Sequence, residues 1–205
     1  MGLISNGTTI FDAGALDSGL AKGAMTLIKK LTASNSATLS FVDGTSSVVL
    51  DNTYKEYLFT FNNIHPITDN VYLSFQGNKA GGSGYNETIT STVFQAYNFE
   101  AAENGVLGYR TDLDKAQGTT FQQLTQNTGT DNDQGVSGYL HLYDPSSTTF
   151  VKHFTSRFNT HYYQEISIDV FCAGYFNETD AIDEIQFKFN SGNIDSGDIC
   201  LYGIG

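Results

Sequence analysis

The sequence predicts an all-β protein, a two-sheet β-sandwich of jelly-roll type that follows an irregular N-terminal arm. Gly, Thr, Ser and Asn supply 77 of the 205 residues, which disfavours helices. Apolar and polar residues alternate with a period of two in about a dozen short segments, as strands with one buried face require. Turn residues close most of these segments at the short intervals that are typical of sandwiches.

The candidate strands follow one another from residue 25 to the end of the chain. The alternation is clear at 57–62 and again at 71–75. Residues 63–70 between them contain Pro66 and several Asx residues, so we expect a turn and a hairpin of the two strands. Residues 92–103 fit a short helix as well as a strand, and both remain open. The other candidate strands are 25–31, 37–42, 47–50, 90–97, 121–125, 138–143, 150–158, 166–172, 185–189 and 199–202.

The chain divides into an N-terminal part, residues 1–36, and a sandwich, residues 37–205. Residues 1–23 contain five Gly and scattered apolar residues without a clear period. Apolar residues in such a segment need a surface to lie against, which is either the chain's own sheet or a neighbouring subunit. We predict that residues 1–36, comprising the arm and the first strand, form an attachment element. Its partner-binding residues are Leu3, Ile4, Ile10, Phe11, Leu16 and Leu20.

Composition and charge exclude several classes of partner. Asp and Glu number 22 against 10 Lys and Arg, for a net charge of −12, so neither nucleic acid nor an anionic membrane surface is an expected partner. No apolar run approaches the roughly 18 residues of a membrane helix, and residues 1–6 lack the pattern of a signal peptide. We therefore expect a chain that stays soluble in the producing cell until assembly.

No residue set predicts catalysis, and we expect no enzyme activity, cofactor or metal site. The four histidines, among them His65 and His153, lack a nucleophile elbow or close Cys and His spacing, so we interpret them as structural or surface residues. No pair of carboxylates stands out for glycoside hydrolysis. A calcium site among the acids of residues 112–133 remains open. Cys172 and Cys200 lie in apolar runs as small hydrophobic residues, and a disulfide between them also remains open.

An aromatic strip is predicted on the strand at 138–143. If Leu140 and Leu142 point into the core, the alternating side chains point outward together, next to a long polar loop at 113–138. Such a strip stacks on sugar rings or packs against a subunit, unless the strand is central and buried on both faces. The candidate contact residues are Tyr139, His141, Tyr143 and, at a second site, Tyr162 and Tyr163.

Several segments resemble a family of small virion proteins of marine tailed bacteriophages. They are 57–75, 145–154, 173–179 and 191–204, and residues 3–14 are also similar. The resemblance covers most of residues 39–205. The closing Leu201-Tyr-Gly-Ile resembles the last strand of jelly-roll modules in phage fibres and decorations. The resemblance implies a virion setting and transfers no catalytic residue set.

Within this virion setting, we predict a capsid decoration or cement protein on the exterior of a phage head. Such a protein is assembled in the host cytoplasm, self-associates, most plausibly as a trimer, and contacts other virion proteins such as the major capsid protein through its arm. The alternative is a tail-fibre or receptor-binding module that recognises host-surface carbohydrate through the aromatic strip and the loop at 129–135. A glycan-degrading enzyme is least favoured, because no acid pair is distinguished.

Overall fold

The structure is a computed structural model that describes residues 3–6, 8–12, 15–16, 24–101 and 105–205. Every regular element within these ranges is a β-strand, which confirms the all-β prediction. The same ranges contain no helix with the length and apolar character of a membrane span. The strands are β1 (Leu3–Ser5), β2 (Thr8–Asp12), β3 (Ala15–Leu16), β4 (Met25–Thr32), β5 (Leu39–Val42), β6 (Glu56–Pro66), β7 (Leu73–Lys79), β8 (Ile89–Phe99), β9 (Val106–Tyr109), β10 (Lys115–Gly118), β11 (Gln122–Gln123), β12 (Val136–Tyr143), β13 (Lys152–Tyr162), β14 (Ile166–Phe176), β15 (Ile182–Phe189) and β16 (Ile194–Ile204).

Two antiparallel sheets form the sandwich. The larger sheet has the order β10-β8-β14-β13-β12-β6-β16-β4, and β9 also pairs with β8, along a different part of that strand from β10. The smaller sheet has the order β11-β7-β15-β5. The predicted two-sheet sandwich is therefore confirmed, and its jelly-roll connectivity stays a prediction.

Phenylalanine rings from both sheets interlock in the core between them. The ring of Phe187 on β15 meets Phe59 and Phe61 of β6 at centroid distances of 5.3 and 4.9 Å, both edge-on. Phe75 on β7 meets Phe154 of β13 at 4.9 Å, also edge-on. Edge-to-face pairs suit the ring quadrupole and add to the stabilisation that burial provides. The two sheets therefore share one aromatic core.

The alternation of β13 shows how the sequence separates the two faces of the larger sheet. Phe154 and Phe158 are almost fully buried on the inner face, whereas Thr155 and Arg157 between them are exposed on the outer face. Successive side chains of a strand point to opposite faces, so this pattern fixes which face meets the core. The outer faces of the neighbouring strands follow from the pairing registers.

A bulge bends the larger sheet where β6 and β16 pair. The pairing register shifts between Ser196 and Asp198, and Gly197 has a φ of +111°. A Cβ at Gly197 would lie 2.4 Å from the carbonyl oxygen of Asn63. Only glycine allows both this φ and this close approach of the two backbones.

The predicted hairpin of 57–62 with 71–75 is wrong. β6 pairs with β12 and β16 in the larger sheet, whereas β7 pairs with β11 and β15 in the smaller one. Residues 67–72 therefore carry the chain from one sheet to the other. Alternation identifies strands but not their partners. A turn between two consecutive strands therefore does not establish that they pair as a hairpin.

In two other segments, the structure contradicts one predicted strand and decides between helix and strand. Residues 47–50 form no strand, although Val48 and Leu50 are buried. The backbone N–H of Leu50 instead donates to the carboxylate of Asp43 at 2.8 Å, which holds the loop on the core. Residues 92–99 belong to β8, so the helix alternative for 92–103 is wrong over the described residues, which exclude 102–104.

The N-terminal segment contains short strands where an irregular arm was predicted. β1, β2 and β3 pair in a three-stranded antiparallel sheet. Strands of two to five residues are too short to show a period in the sequence. Of the predicted partner-binding residues, Leu3, Ile4, Ile10, Phe11 and Leu16 lie in these strands, and Leu20 lies outside the described residues. The side chain of Ile4 is exposed.

β4 follows the N-terminal segment and pairs along its length with β16, as an edge strand of the larger sheet.

The two cysteines lie on separate strands of the larger sheet. Both thiols are free and buried, Cys172 on β14 and Cys200 on β16. Three strands separate β14 from β16, so at about 4.8 Å per strand the cysteines are too far apart for a disulfide. Burial raises the pKa of the Cys172 thiol to about 12, which makes that thiol unreactive.

Candidate functional site

An aromatic row crosses five strands on the outer face of the larger sheet. It consists of Tyr109 on β9, Phe94 on β8, Phe171 on β14, Arg157 on β13 and Tyr139 on β12, and each of them lies directly opposite the next. Tyr109, Phe94 and Tyr139 remain 53%, 41% and 40% exposed. Non-local strand pairing therefore assembles one exposed row from residues that are up to 77 positions apart in sequence.

The members of the aromatic row stack on one another from strand to strand. The rings of Phe94 and Phe171 are stacked at 4.7 Å and 6°. The guanidinium carbon of Arg157 lies 4.8 Å from the centre of the Phe171 ring, a cation–π contact. Asp169 accepts two hydrogen bonds from Arg157, from Nη2 at 2.6 Å and from Nε at 3.0 Å, and this partner raises the pKa of Arg157. The arginine is thereby held over the ring.

A second row runs parallel to the first, four residues further along each strand. It consists of Thr90 on β8, Tyr175 on β14 and His153 on β13, in direct cross-strand register. The rings of His153 and Tyr175 lie 5.8 Å apart. This second row combines the rings of Tyr175 and His153 with groups that form hydrogen bonds, namely the hydroxyls of Thr90 and Tyr175 and the imidazole nitrogens of His153.

Small side chains form the floor between the two rows. Thr92, Ala173 and Thr155 lie opposite one another on β8, β14 and β13. Two adjoining depressions, of about 220 and 390 Å³, share these three residues, one against the aromatic row and one against the second row. Together the two rows and the floor make one shallow outer-face groove. It crosses four strands from β8 to β12, about 14 Å at 4.8 Å per strand.

The predicted aromatic strip lies where the groove reaches β12. Leu140 and Leu142 are 0% exposed, and Tyr139, His141 and Tyr143 point together to the outer face. The His141 ring lies 5.4 Å from that of Tyr139 and is stacked on that of Tyr143 at 6.0 Å. Nδ1 of His141 also contacts the carboxylate of Glu56 on β6. The strip thus continues the two rows at this end of the groove.

Tyr162 and Tyr163 do not join the groove. Tyr162 faces the inner side and lines a separate cleft of about 570 Å³ with Tyr97 and Arg110. Arg110 donates two hydrogen bonds to Asp112, at 2.8 and 2.6 Å, which raise the pKa of Arg110 and lower that of Asp112. The guanidinium therefore already has a carboxylate partner.

Sequence reasoning missed Phe94, Phe171 and Arg157, which form the centre of the aromatic row. For Phe171 a signal existed, because its position is out of phase with the buried Ile168 and Val170 of the same strand. Phe94 lies in the segment 92–103, for which helix and strand both remained open, so the sequence did not predict which face carries its side chain. Neither position indicates by itself that the two rings stack, because that contact depends on the register of β8 with β14.

Comparisons with protein-family models, with curated proteins and with solved structures find no match for this chain. The site therefore has to be interpreted from its own geometry. A β-sandwich with an open groove, aromatic side chains along both sides and hydroxyl, imidazole and guanidinium groups among them is suited to an extended, amphipathic ligand.

Proposed function

We propose that the chain is a structural protein of a tailed-phage particle whose sandwich recognises carbohydrate through the outer-face groove. The observation that carries the carbohydrate part is the groove itself, with the stacked Phe94 and Phe171 on one side and His153 and Tyr175 on the other. Sugar rings have apolar faces that stack on aromatic rings and hydroxyl groups that need hydrogen-bond partners at their edges. The groove supplies both kinds of contact side by side.

The shape of the groove favours a linear oligosaccharide over a single sugar. Its floor is small on three adjacent strands, from Thr92 through Ala173 to Thr155, and His141 follows in the same line on β12. The phage setting comes from the sequence resemblance, and host-surface glycan is the ligand class that such a particle meets.

We propose binding without hydrolysis. Among the described residues that line the two depressions of the groove there is no carboxylate. Glycoside hydrolases use two carboxyl groups on either side of the bond that is cleaved. Asp169, next to the aromatic row, is engaged by Arg157.

The test is a glycan array probed with the labelled full-length protein, followed by titration of the best ligand. We expect a linear polysaccharide fragment to bind and the Phe171→Ala variant to lose at least tenfold in affinity, since covering an aromatic side chain with a ligand contributes on the order of 1.5–3 kcal/mol. Phe150→Ala is the matched control, because this ring is 70% exposed and does not line the groove. Absence of binding across a broad array contradicts the proposal.

A capsid decoration role is the second candidate, and the N-terminal sheet favours it. β1, β2 and β3 hydrogen-bond among themselves and, over the described residues, to neither sheet of the sandwich. Ile4 on β1 is 62% exposed, an apolar side chain that a partner would cover. The N-terminal segment is therefore suited to attach the sandwich to a larger particle.

Locating the protein on purified particles tests the decoration role. Antibody labelling on the head, together with loss of incorporation for Ile4→Asp, supports it. Labelling confined to the tail tip contradicts decoration and agrees with receptor binding. Light scattering of the purified chain tests the proposed trimer, and a monomer at all concentrations contradicts it.

A further inference from the structure

A cluster of potential metal ligands lies on the outer face of the larger sheet, away from the groove. It consists of His161 on β13, Glu100 directly after β8 and Glu165 directly before β14, and one ligand atom from each lies within 4.8 Å of the others. Nε2 of His161 is 3.5 Å from Oε1 of Glu100 and 3.2 Å from Oε2 of Glu165. We refer to these three residues as the His161 cluster.

The hydrogen bond at Nδ1 of His161 determines that the other ring nitrogen, Nε2, faces the glutamates as an acceptor. Nδ1 lies 2.8 Å from the carbonyl oxygen of Asp133. A carbonyl only accepts, so Nδ1 carries the hydrogen and Nε2 of the neutral ring presents a lone pair. Nε2 is buried and has no hydrogen-bond partner among the described residues. Three electron-pair donors therefore lie within 4.8 Å of one another, an arrangement that favours a cation between them.

The surrounding structure fixes the backbone at Glu100 and His161 and the side chain of Glu165. The backbone N–H of Glu100 donates to the carbonyl of Glu165 at 3.2 Å, and the N–H of His161 donates to that of Gly135 at 3.0 Å. Gln134, only 2% exposed, donates from Nε2 to Oε1 of Glu165 at 3.2 Å and leaves Oε2 facing the histidine. Outer hydrogen bonds of this kind orient metal ligands in known sites.

We propose that His161, Glu100 and Glu165 bind one divalent transition-metal cation, for which Zn²⁺ is the best match. Ligand atoms about 2.0–2.2 Å from a zinc ion stand roughly 3.0–3.5 Å from one another, and the two distances from Nε2 agree with this spacing. The imidazole favours zinc over calcium or magnesium, which prefer sites made of oxygen alone. The Glu100 and Glu165 side chains are 60% and 52% exposed, so further coordination positions are open to water.

A proton on Nε2 is the competitor of the metal ion. Burial lowers the pKa of His161, but the hydrogen bond to Asp133 and the charges of Glu165 and Glu100 outweigh it and raise the pKa above its ordinary value. A protonated His161 would form ion pairs with both glutamates and leave no ligand for a metal. If the proton stays on Nε2, the purified chain binds no zinc. If zinc replaces the proton, the chain binds zinc.

Calorimetric titration of the metal-free full chain with ZnCl₂ above neutral pH tests the proposal. We expect one equivalent to bind, and His161→Gln and Glu165→Gln to weaken binding at least tenfold. His153→Gln is the matched control, because His153 is exposed on the same strand but outside the cluster, and its zinc affinity should equal that of the wild type. Melting curves of the metal-free variants establish that each is folded.

Thermal unfolding with and without zinc gives a second readout. A ligand that binds only the folded state raises Tm, so zinc should raise the Tm of the wild type and of His153→Gln, and leave that of His161→Gln unchanged. The proposal is overturned if the wild type binds no zinc, if His161→Gln binds it as tightly as the wild type, or if the site prefers Ca²⁺ or Mg²⁺.

Discussion

The inner and outer faces of the larger sheet both carry aromatic side chains, but they arrange them differently. On the inner face, Phe154 is buried and meets Phe75 of the smaller sheet edge to face. On the outer face, Phe94 and Phe171 lie flat on one another at 6° and Phe94 remains 41% exposed. Edge-to-face packing fills the interior volume, whereas the stacked pair on the outer face stays partly exposed to solvent. The inner rings therefore stabilise the fold, and the outer rings are available to a ligand.

The largest expected effect on stability lies in the core between the sheets, at Phe187 on β15 of the smaller sheet. Its ring contacts those of Phe41, Phe59, Phe61 and Phe75. Phe187→Ala should lower the free energy of unfolding by about 3–5 kcal/mol, because it removes a buried ring and leaves a cavity. Denaturant unfolding measures this change, and a loss below about 1 kcal/mol would contradict the description of the core.

A smaller loss is expected at Gly174, where the inner face of β14 has no room for a side chain. A Cβ there would lie 2.5 Å from the carbonyl oxygen of Thr90 and 2.7 Å from Cζ of Phe154. Gly174→Ala should cost about 1–3 kcal/mol, since the backbone or the buried ring has to move. Gly108→Ala is the control, because a Cβ at that residue of β9 meets nothing within 4 Å. Equal unfolding midpoints for the two variants would contradict the prediction.

Ala173, next to Gly174 in sequence, points to the outer face. A substitution there should change ligand binding without changing stability. It lies on the floor of the groove between the two rows. Ala173→Met should change the free energy of unfolding by no more than about 0.5 kcal/mol, because its side chain extends into solvent. The same substitution should abolish carbohydrate binding by filling the groove. Glycan titration and thermal unfolding of this one variant check both parts, and retained affinity would argue against the groove.

The smallest effect is expected from a polar contact on the edge of the larger sheet. Asp198 of β16 accepts hydrogen bonds from Thr32 and Lys30 of β4, which lower its pKa. A lowered pKa in the folded state stabilises the protein above the unfolded value of about 3.9, and this contribution is lost as the pH falls through the folded pKa. Asp198→Asn should therefore lower Tm slightly near neutral pH and match the wild type in acid. A difference in Tm that persists in acid would contradict this assignment.

The sequence predicts those parts of the fold that depend on local periodicity. Alternation identifies β12 and places Tyr139, His141 and Tyr143 on one face, because all three belong to one strand. It does not predict that β6 and β7 belong to different sheets, since strand partners depend on contacts distant in sequence. The stacking of Phe94 on Phe171 and the meeting of Glu100 with His161 are non-local for the same reason. Only the β12 end of the groove could be predicted, and the rest required the pairing register.

The affinity of Phe171→Ala for the best array ligand, compared with wild type and with Phe150→Ala, tests the central claim most directly. Phe171 lies between Phe94, with which its ring stacks, and Arg157, whose guanidinium lies over the ring. Its removal therefore takes a contact from both neighbours in the aromatic row. The account predicts at least a tenfold loss of affinity for Phe171→Ala, wild-type affinity for Phe150→Ala, and a melting temperature for both variants close to that of the wild type. Unchanged affinity for a folded Phe171→Ala protein would contradict the assignment of the outer face to carbohydrate recognition.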